Sequence, residues 1–387
     1  VTDAAFTLET VDALSAVDPV EWDACAGSDN PFVGHAFLSA LEDSRCVGGR
    51  TGWFVHHAIL RDPAGRLVAA APLYAKTHSQ GEYVFDHGWA DAYAGAGGRY
   101  YPKLLSAVPF SPVPGPRLLV RPGAPAGTRD ALAAGLIDLA KRAGLSSVHV
   151  NFCGAEDWAA LATGGFLQRI GEQFHWENRG YASFEAFLET FASRKRKQVR
   201  KERAQALEDG ISIHTLTGAE IGKAEWDAFF RFYISTSDRK WGSPYLTRRF
   251  FDLLAERLGD RVVLVMARRH GKWIGGALNL RGGDTLYGRN WGCEGDWKFL
   301  HFEACYYRAI DYAIAHGLAR VEAGAQGTHK IQRGYLPVET YSAHWFADPR
   351  LGDAVARFLV RERAAVRAQM AELATLSPYK DETPADA

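Results

Sequence analysis

Between Glu322 and Lys330 the chain places a carboxylate, a carboxamide, an imidazole and an ammonium along a run of otherwise small residues, Glu322-Ala323-Gly324-Ala325-Gln326-Gly327-Thr328-His329-Lys330. As a strand, this run turns Glu322, Gly324 and Gln326 to one face and Val321 and Ala323 to the other. The small residues leave room for a ligand close to the backbone. Glu322 can take the proton of an attacking amine, with His329 as the alternative base. Lys330 can neutralise a phosphate or carboxylate, or stabilise oxyanion charge, and Gln326 can bind substrate. The plainer alternative is a buried Glu–Lys pair closed by a polar turn.

On the preceding strand Tyr287 and Arg289 alternate with Leu286 and Gly288, and so line the same cleft. The tyrosine serves either as a general acid or as a core residue. Leu300-His301-Phe302-Glu303 opens a helix. His301 reads as ligand-facing; Glu303 reads either so or as an ordinary first-turn acid. A second concentration of polar groups comes much earlier, with His78, Glu82, Asp86 and Lys103 interleaved among Tyr83, Trp89, Tyr100 and Tyr101. Such a mixture suits a polar acceptor, a sugar-peptide or an amine. The competing role is a structural insert. His56 and His57 are adjacent and diverge on a strand, so no metal site is expected. No Gly-x-Ser-x-Gly elbow occurs, and Cys305, beside Tyr306 and Tyr307 in a helix, reads as core.

These groups are carried by a duplicated sequence. Ile137-Asp138-x-Ala140-x-x-x-Gly144-Leu145-x-x-Val148 returns as Ile310-Asp311-x-Ala313-x-x-x-Gly317-Leu318-x-x-Val321. Gly165-Phe166 with His175-Trp176 returns as Gly334-Tyr335 with His344-Trp345, and Glu21-Trp22-Asp23-Ala24 as Glu225-Trp226-Asp227-Ala228. The offset between copies falls along the chain, so the first copy carries about thirty extra residues near 76–116.

Each copy predicts the same order of elements. A helix (20–43 or 223–258) precedes a strand pair (53–60 and 66–75, or 261–268 and 273–280). A further strand (116–121 or 284–291) leads to a long helix (129–143 or 302–316) ending at Gly144 or Gly317. A strand follows (147–152 or 319–325), then a short helix, and a last strand ending in His-Trp. This is an α/β sheet in each half. A helix over 183–208 has a basic centre at 194–203, and a C-terminal helix is expected over 351–376 before a frayed tail. The predicted division is a first domain over 1–180 with its insert, the basic interdomain helix over 181–210, a second domain over 211–350, and the C-terminal helix and tail over 351–387.

Composition narrows the class. The 387 residues are 47% hydrophobic and 23% charged with zero net charge, which fits a globular chain and gives no global attraction to nucleic acid or membrane. Five scattered cysteines without Cys-x-x-Cys spacing fit a reduced, cytoplasmic compartment. The N-terminus lacks a signal-peptide pattern, and no uncharged apolar run reaches membrane-spanning length.

The order of elements, with a helix ending at Gly, a strand, and a short helix closing on Gly-Phe or Gly-Tyr, resembles the GNAT acyltransferase superfamily. The tandem arrangement resembles the Fem-type peptidyltransferases. A more specific resemblance, to a bacterial family of N-acyltransferases labelled as peptidoglycan biosynthesis or recognition proteins, is carried by Asn30-Pro31-Phe32, the run from His78 to Asp86, Tyr100 to Leu104, Arg239-Lys240-Trp241-Gly242, Leu286 to Arg289, Leu300 to Glu303, and Glu322 to Lys330. It implies two tandem GNAT-like domains with mixed sheets plus a C-terminal helix. It also implies transfer of an acyl or aminoacyl group to a small-molecule or peptide amine, with Lys240 among the substrate-binding residues and Lys330 near the substrates. The donor is acyl-CoA or aminoacyl-tRNA. Against acyl-CoA, the superfamily's phosphate-binding pattern is incomplete in both copies. Arg121 to Thr128 contains two prolines, which remove N–H donors, and Arg289 to Glu294 ends in a carboxylate. Two rivals follow: a non-catalytic binder of a cell-wall precursor or aminoacyl compound, and an RNA-associated protein using the basic run. Glu185, Glu189, Glu202 and Glu208 flank or interrupt that run, which favours a solvated helix face.

Overall fold

The computed structural model describes residues 6–240, 244–324 and 327–380. The chain forms two compact units assembled from interleaved segments. The first comprises the chain up to Gly171, Tyr245–Arg257 and Glu339–Arg367; the second comprises Glu172–Pro244, Leu258–Val338 and the chain from Ala368 onward.

The first unit opens with β1 (Thr7–Val11), α1 (Pro19–Ala26) and α2 (His35–Asp43). Asp18 caps α1 by accepting from the Val20 and Glu21 amides, and Pro19 occupies its first turn. The single helix expected over 20–43 is therefore two, because Gly27 at φ +70° ends the first and Asn30-Pro31 cannot continue it. The strands expected over 53–60 and 66–75 are also broken, into β2 (Trp53–Val55) and β3 (His57–Arg61), and β4 (Leu67–Ala71) and β5 (Leu73–Lys76). Pro72 interrupts the second of them. The halves enter different sheets. After α3 (His87–Gly95), β6 (Lys103–Ser106) and β7 (Leu119–Val120) come α4 (Thr128–Arg142), β8 (Ser147–Cys153), α5 (Ala155–Thr163) and β9 (Leu167–Glu177). A small antiparallel sheet has the order β1-β3-β4-β7.

Further along the chain come α6 (Phe184–Glu189), α7 (Ser193–Ala206), β10 (Ile211–Thr217), α8 (Lys223–Lys240), α9 (Arg248–Leu258), β11 (Val262–Arg269), β12 (Lys272–Gly282) and β13 (Thr285–Cys293). The helix expected over 183–208 is two, since the Thr190 hydroxyl donates back to the Phe187 carbonyl where α6 ends. A continuous helical run over 300–315 contains α10 (Leu300–Phe302), a π-helical turn (Glu303–Tyr307) and α11 (Arg308–Ala315). β14 (Arg320–Glu322), a 3-10 turn (Thr328–Arg333), β15 (Leu336–Phe346) and α12 (Pro349–Ala374) complete the chain. Gly144 and Gly317 are left-handed at φ +63° and +62°, as helix-terminating glycines require.

The mixed sheet of the first unit runs β2-β5-β6-β8 with β15 beside β8; that of the second runs β10-β11-β12-β13-β14-β9. In each, one parallel pair, β6–β8 or β13–β14, is flanked by antiparallel neighbours. Each sheet takes its His-Trp strand from the other repeat copy: His344 pairs with His149, and His175 pairs with Glu322. The first-copy counterpart of β13 is β6, which lies inside the segment expected to be an insert. The strand expected over 116–121 instead joins the small sheet as β7. The extra length is the β5–β6 connection, residues 77–102, where β12 and β13 are joined by Gly283 and Asp284 alone.

The second unit's core lies on one face of its sheet, where Leu286, Val321 and Trp176 meet Ile310, Tyr307 and Tyr335. On the other, α8 presses against β12 and β13 at Gly276 and Gly292, which pair in register. A Cβ on Gly292 would lie 2.1 Å from the Phe232 carbonyl oxygen of α8, with backbone on both sides. Gly292→Ala should therefore destabilise the protein by about 1–3 kcal/mol or more, read as a lower urea midpoint. An unchanged midpoint contradicts this close approach.

Candidate functional site

Strands β13 and β14 pair over only Thr285–Tyr287 and Arg320–Glu322, then separate. At the end of that ladder β13 bulges: Leu278 pairs with Asn290 and Asn279 with Gly288, leaving Arg289 as the extra residue. Gly288 sits tight against β14, since a Cβ there would lie 3.3 Å from the Glu322 carbonyl oxygen. Gly324 at φ +78° turns the chain away just beyond. A cavity of about 90 Å³ lies on the helix side of this fork, lined among others by Asn279, Gly288, Arg289, Trp291, His301, Cys305, Tyr306 and Ala323. Its floor includes the π-helical turn, an irregularity that often accompanies function.

Glu322 points the other way. Tyr287, Glu322 and His175 are consecutive register partners on β13, β14 and β9, so their side chains stand side by side on one face. Glu322 is 6% exposed, its Oε2 accepts no hydrogen bond, and its nearest cation is Arg320, 3.9 Å from Oε1. Burial pushes its carboxyl up to about 7, against the pull of Arg320 and Arg289. Burial also raises the Tyr287 phenol, with the Glu322 charge adding to it. His175 is driven down to about 3 by burial and by the Arg320 and Lys330 charges, so it is neutral. Burial lowers Lys330 to about 8; its Nζ donates to the Gly324 carbonyl at 3.0 Å and lies over the Phe174 ring.

His301 lines the cavity, packed near Trp291 and His329. His329 is largely exposed, with Nε2 3.0 Å from the Tyr306 hydroxyl. Glu303 is absent from the cavity wall. It is fully buried, and both its oxygens are taken by Arg203 at 3.1 Å, with Arg308 Nε 2.8 Å from Oε1. Arg203 also binds Asp311, and its neighbour Glu202 accepts from Tyr307 and Arg333. The basic helix α7 is thus fastened to the second unit. Lys195 donates to Gln332 and Arg200 pairs with Glu185, while Arg194, Lys197 and Lys201 face solvent. Gln326 and the side chain of Lys240 lie outside the described residues.

The four first-copy residues come together, but as a sealed network. Lys76 and Lys103 are register partners on β5 and β6, at the base of the 77–102 connection. Lys103 Nζ donates to Ser79 and Glu82 at 2.8 Å each and to Asp86 at closer range. Lys76 lies 3.8 Å from Glu82 Oε1 and the same distance from the Trp53 ring. His78 is half-buried, with Nε2 2.9 Å from the Thr51 carbonyl. Burial pulls Lys76 down to about 7 and pushes Glu82 up to about 7. Burial alone would raise Asp86, but the Lys103 charge and hydrogen bonds from Lys103, Ser79 and Tyr100 hold it low. The Tyr100 hydroxyl links Asp86 to His149, whose Nδ1 lies 2.7 Å from Nδ1 of His344. Breaking such a buried network is costly; Glu82 Oε1 and Asp86 Oδ1 are nonetheless buried without a hydrogen-bond partner.

Neither expected donor loop is a free anion cradle. In the first, the Ala124 and Thr128 amides donate to Arg121 and Pro125 within the loop. In the second, Arg289 to Cys293 is strand. Among the described residues no cluster of three or more His, Cys, Asp or Glu could hold a metal ion, and no helix is long and apolar enough to cross a membrane. Sequence reasoning overlooked His175, Gln173, Lys76 and the His149–His344 pair as functional candidates. The recurring His-Trp dipeptide was the available signal for the histidines.

The family described as FemAB-like, peptidoglycan biosynthesis/recognition, matches residues 13–381. No curated protein matches the chain in sequence. Among solved structures it is similar to FemX, with TM-score 0.53 and 12% identity, covering 90% of this chain and 100% of that one. It is similar to the C-terminal domain of a putative lysylphosphatidylglycerol synthetase from Agrobacterium fabrum, with TM-score 0.55, 9% identity and coverage of 89% and 96%. A third is L-PGS from Bacillus licheniformis, at 0.51, 11%, 86% and 98%. The fold is α/β, with two tandem GNAT-like halves built on mixed sheets and a C-terminal helix.

The His149–His344 pair gives a stability test. Burial holds both rings well below the ordinary histidine value. The unfolded chain takes up a proton on each below pH about 6.5, so the pair's contribution is present above that value and lost as pH falls beneath it. The stability advantage over a His149→Asn/His344→Asn variant should shrink progressively as pH falls below about 6.5. Urea unfolding at pH 7, 6 and 5 reads this; a constant difference contradicts it.

Proposed function

This chain belongs to the FemAB-like family of peptidoglycan biosynthesis and recognition, and from that premise we propose that it is an N-acyltransferase moving an acyl or aminoacyl group to an amine of a cell-wall precursor. The observation that carries the proposal is Glu322: a buried carboxyl near neutrality with an unpartnered oxygen, beside the fork where β13 and β14 part. A base with that affinity suits proton abstraction from an ammonium at neutral pH.

In this reading the activated acyl group enters the fork from the cavity, past the missing side chain of Gly288. The acceptor's ammonium gives a proton to Glu322, and its nitrogen attacks the carbonyl carbon. A C–N bond forms and the bond to the leaving sulfur or oxygen breaks. Tyr287, kept protonated by burial, gives its proton to the leaving group and regains one from the nitrogen. Lys330 holds the Gly324 turn and brings positive charge near the developing oxyanion. His301 and Arg289 contact the donor from the cavity wall. The sealed network of Lys76, Glu82, Asp86 and Lys103 supports a structural part for these residues, anchoring the 77–102 connection.

The names of the similar structures include lysylphosphatidylglycerol synthetase, which supports an aminoacyl group as cargo. Glu294 and Asp296, just ahead of the helical run, disfavour the pyrophosphate of an acyl-CoA at that helix. Aminoacyl-tRNA is therefore the preferred donor. The same acids favour a second reading, a binding protein without turnover.

Glu322→Gln should lower transfer from charged tRNA to a peptide amine by about 10²–10⁴-fold, with the fold intact by circular dichroism. The wild-type rate should rise with pH through about 7 as Glu322 loses its proton. Wild-type turnover that survives Glu322→Gln sinks the assignment. Absence of turnover with both charged tRNA and acyl-CoA leaves the binding reading.

A further inference from the structure

Internal duplication supplies a comparison within the chain. His149 pairs with His344 in the first unit's sheet, and Glu322 with His175 in the second, at repeat-equivalent positions. In the first unit the two side chains converge until their nitrogens are 2.7 Å apart. In the second they do not bond to each other. Glu322 keeps an oxygen without a hydrogen-bond partner, and the one hydrogen bond of His175 joins Nε2 to Gln173 Oε1 at 3.4 Å. Gln173 stands two residues earlier on β9, on the same face. Gln173 Oε1 carries no hydrogen to donate, so this contact makes Nε2–H the donor and leaves Nδ1 with its lone pair. An acceptor nitrogen and an acceptor carboxylate thus stand on adjacent strands on one face of the sheet, with Tyr287 on the next strand.

We propose that His175 is a specificity-determining residue: held as its Nε2–H tautomer by Gln173, it offers Nδ1 as the second hydrogen-bond acceptor, beside Glu322, for a primary ammonium group. An ammonium carries three donors. Glu322 removes one proton while Nδ1 holds another, which fixes the direction of the nitrogen lone pair that forms. A trimethylammonium group has a single N–H and cannot satisfy both acceptors. Because burial, helped by the Arg320 and Lys330 charges, keeps the imidazole neutral, His175 remains an acceptor throughout the range in which Glu322 titrates. The proposal rests on the acyl-transfer reading for its purpose, but not for its geometry.

The test has two arms on the full chain. With ¹⁵N-labelled histidine at pH 7, NMR should show His175 neutral and protonated on Nε2, and methylammonium but not trimethylammonium should shift its Nδ1 resonance. A ring protonated on Nδ1, or equal response to both probes, overturns the proposal. In the transfer assay His175→Leu should raise KM for the amine by about 10–100-fold, the loss of one hydrogen bond to a charged group, with the rise of rate through pH 7 retained. His175→Asn, whose side-chain oxygen can replace Nδ1, should recover most of that loss. Unchanged KM in His175→Leu overturns the proposal while a dead Glu322→Gln leaves the acyl-transfer reading standing; if Glu322→Gln is also fully active, that reading falls with it. Should His175→Leu fail to fold, the NMR arm decides alone.

Discussion

The parallel ladder between β13 and β14 stops after three register pairs, and the chemistry proposed for the second unit depends on that stop. A sheet that continued would spend its backbone groups on pairing and leave no opening. Here the bulge at Arg289 and the left-handed Gly324 force the strands apart at adjacent points. The fork leaves a cavity against the helical run on one face and Glu322 on the other. Burial in that setting, rather than any single charged neighbour, is the largest influence on Glu322.

Duplication produced two such sheets, and their divergence is chemical more than topological. Both keep one parallel pair between antiparallel neighbours. Where the second unit joins β12 to β13 by Gly283 and Asp284, the first inserts residues 77–102 and holds their base with two lysines and two carboxylates. Where the second has Glu322 beside His175, the first has two neutral histidines in contact. The first unit ties its buried polar groups into an ion-paired network around Lys103, whereas in the second Glu322 keeps an oxygen without a hydrogen-bond partner and its nearest cation at 3.9 Å.

Much of this was legible in the sequence, for definable reasons. Gly144 and Gly317 marked helix ends because only glycine is comfortable at the required positive φ. Glu322 stood out because small neighbours and strand alternation isolate it. Boundaries failed where one side chain outweighed periodicity, as Pro72 did in splitting β4 from β5 and Thr190 did after α6. The strand expected over 116–121 was misplaced because its true counterpart, Lys103–Ser106, is short and begins with a charge that only the fold pairs. Glu303 looked ligand-facing because Arg203, a hundred residues earlier, was invisible as its partner. His175 escaped notice because its register against Glu322 joins strands from different repeat copies, and no local pattern encodes that.

The central claim is that the fold holds Glu322 near neutrality as an unsatisfied carboxyl. The direct measurement is difference infrared titration of the carboxyl stretch, wild type minus Glu322→Gln, across pH 4 to 9. The account predicts a protonated-carboxyl band that disappears with a midpoint of about 7. A midpoint at the ordinary glutamate value near 4.3 would contradict it.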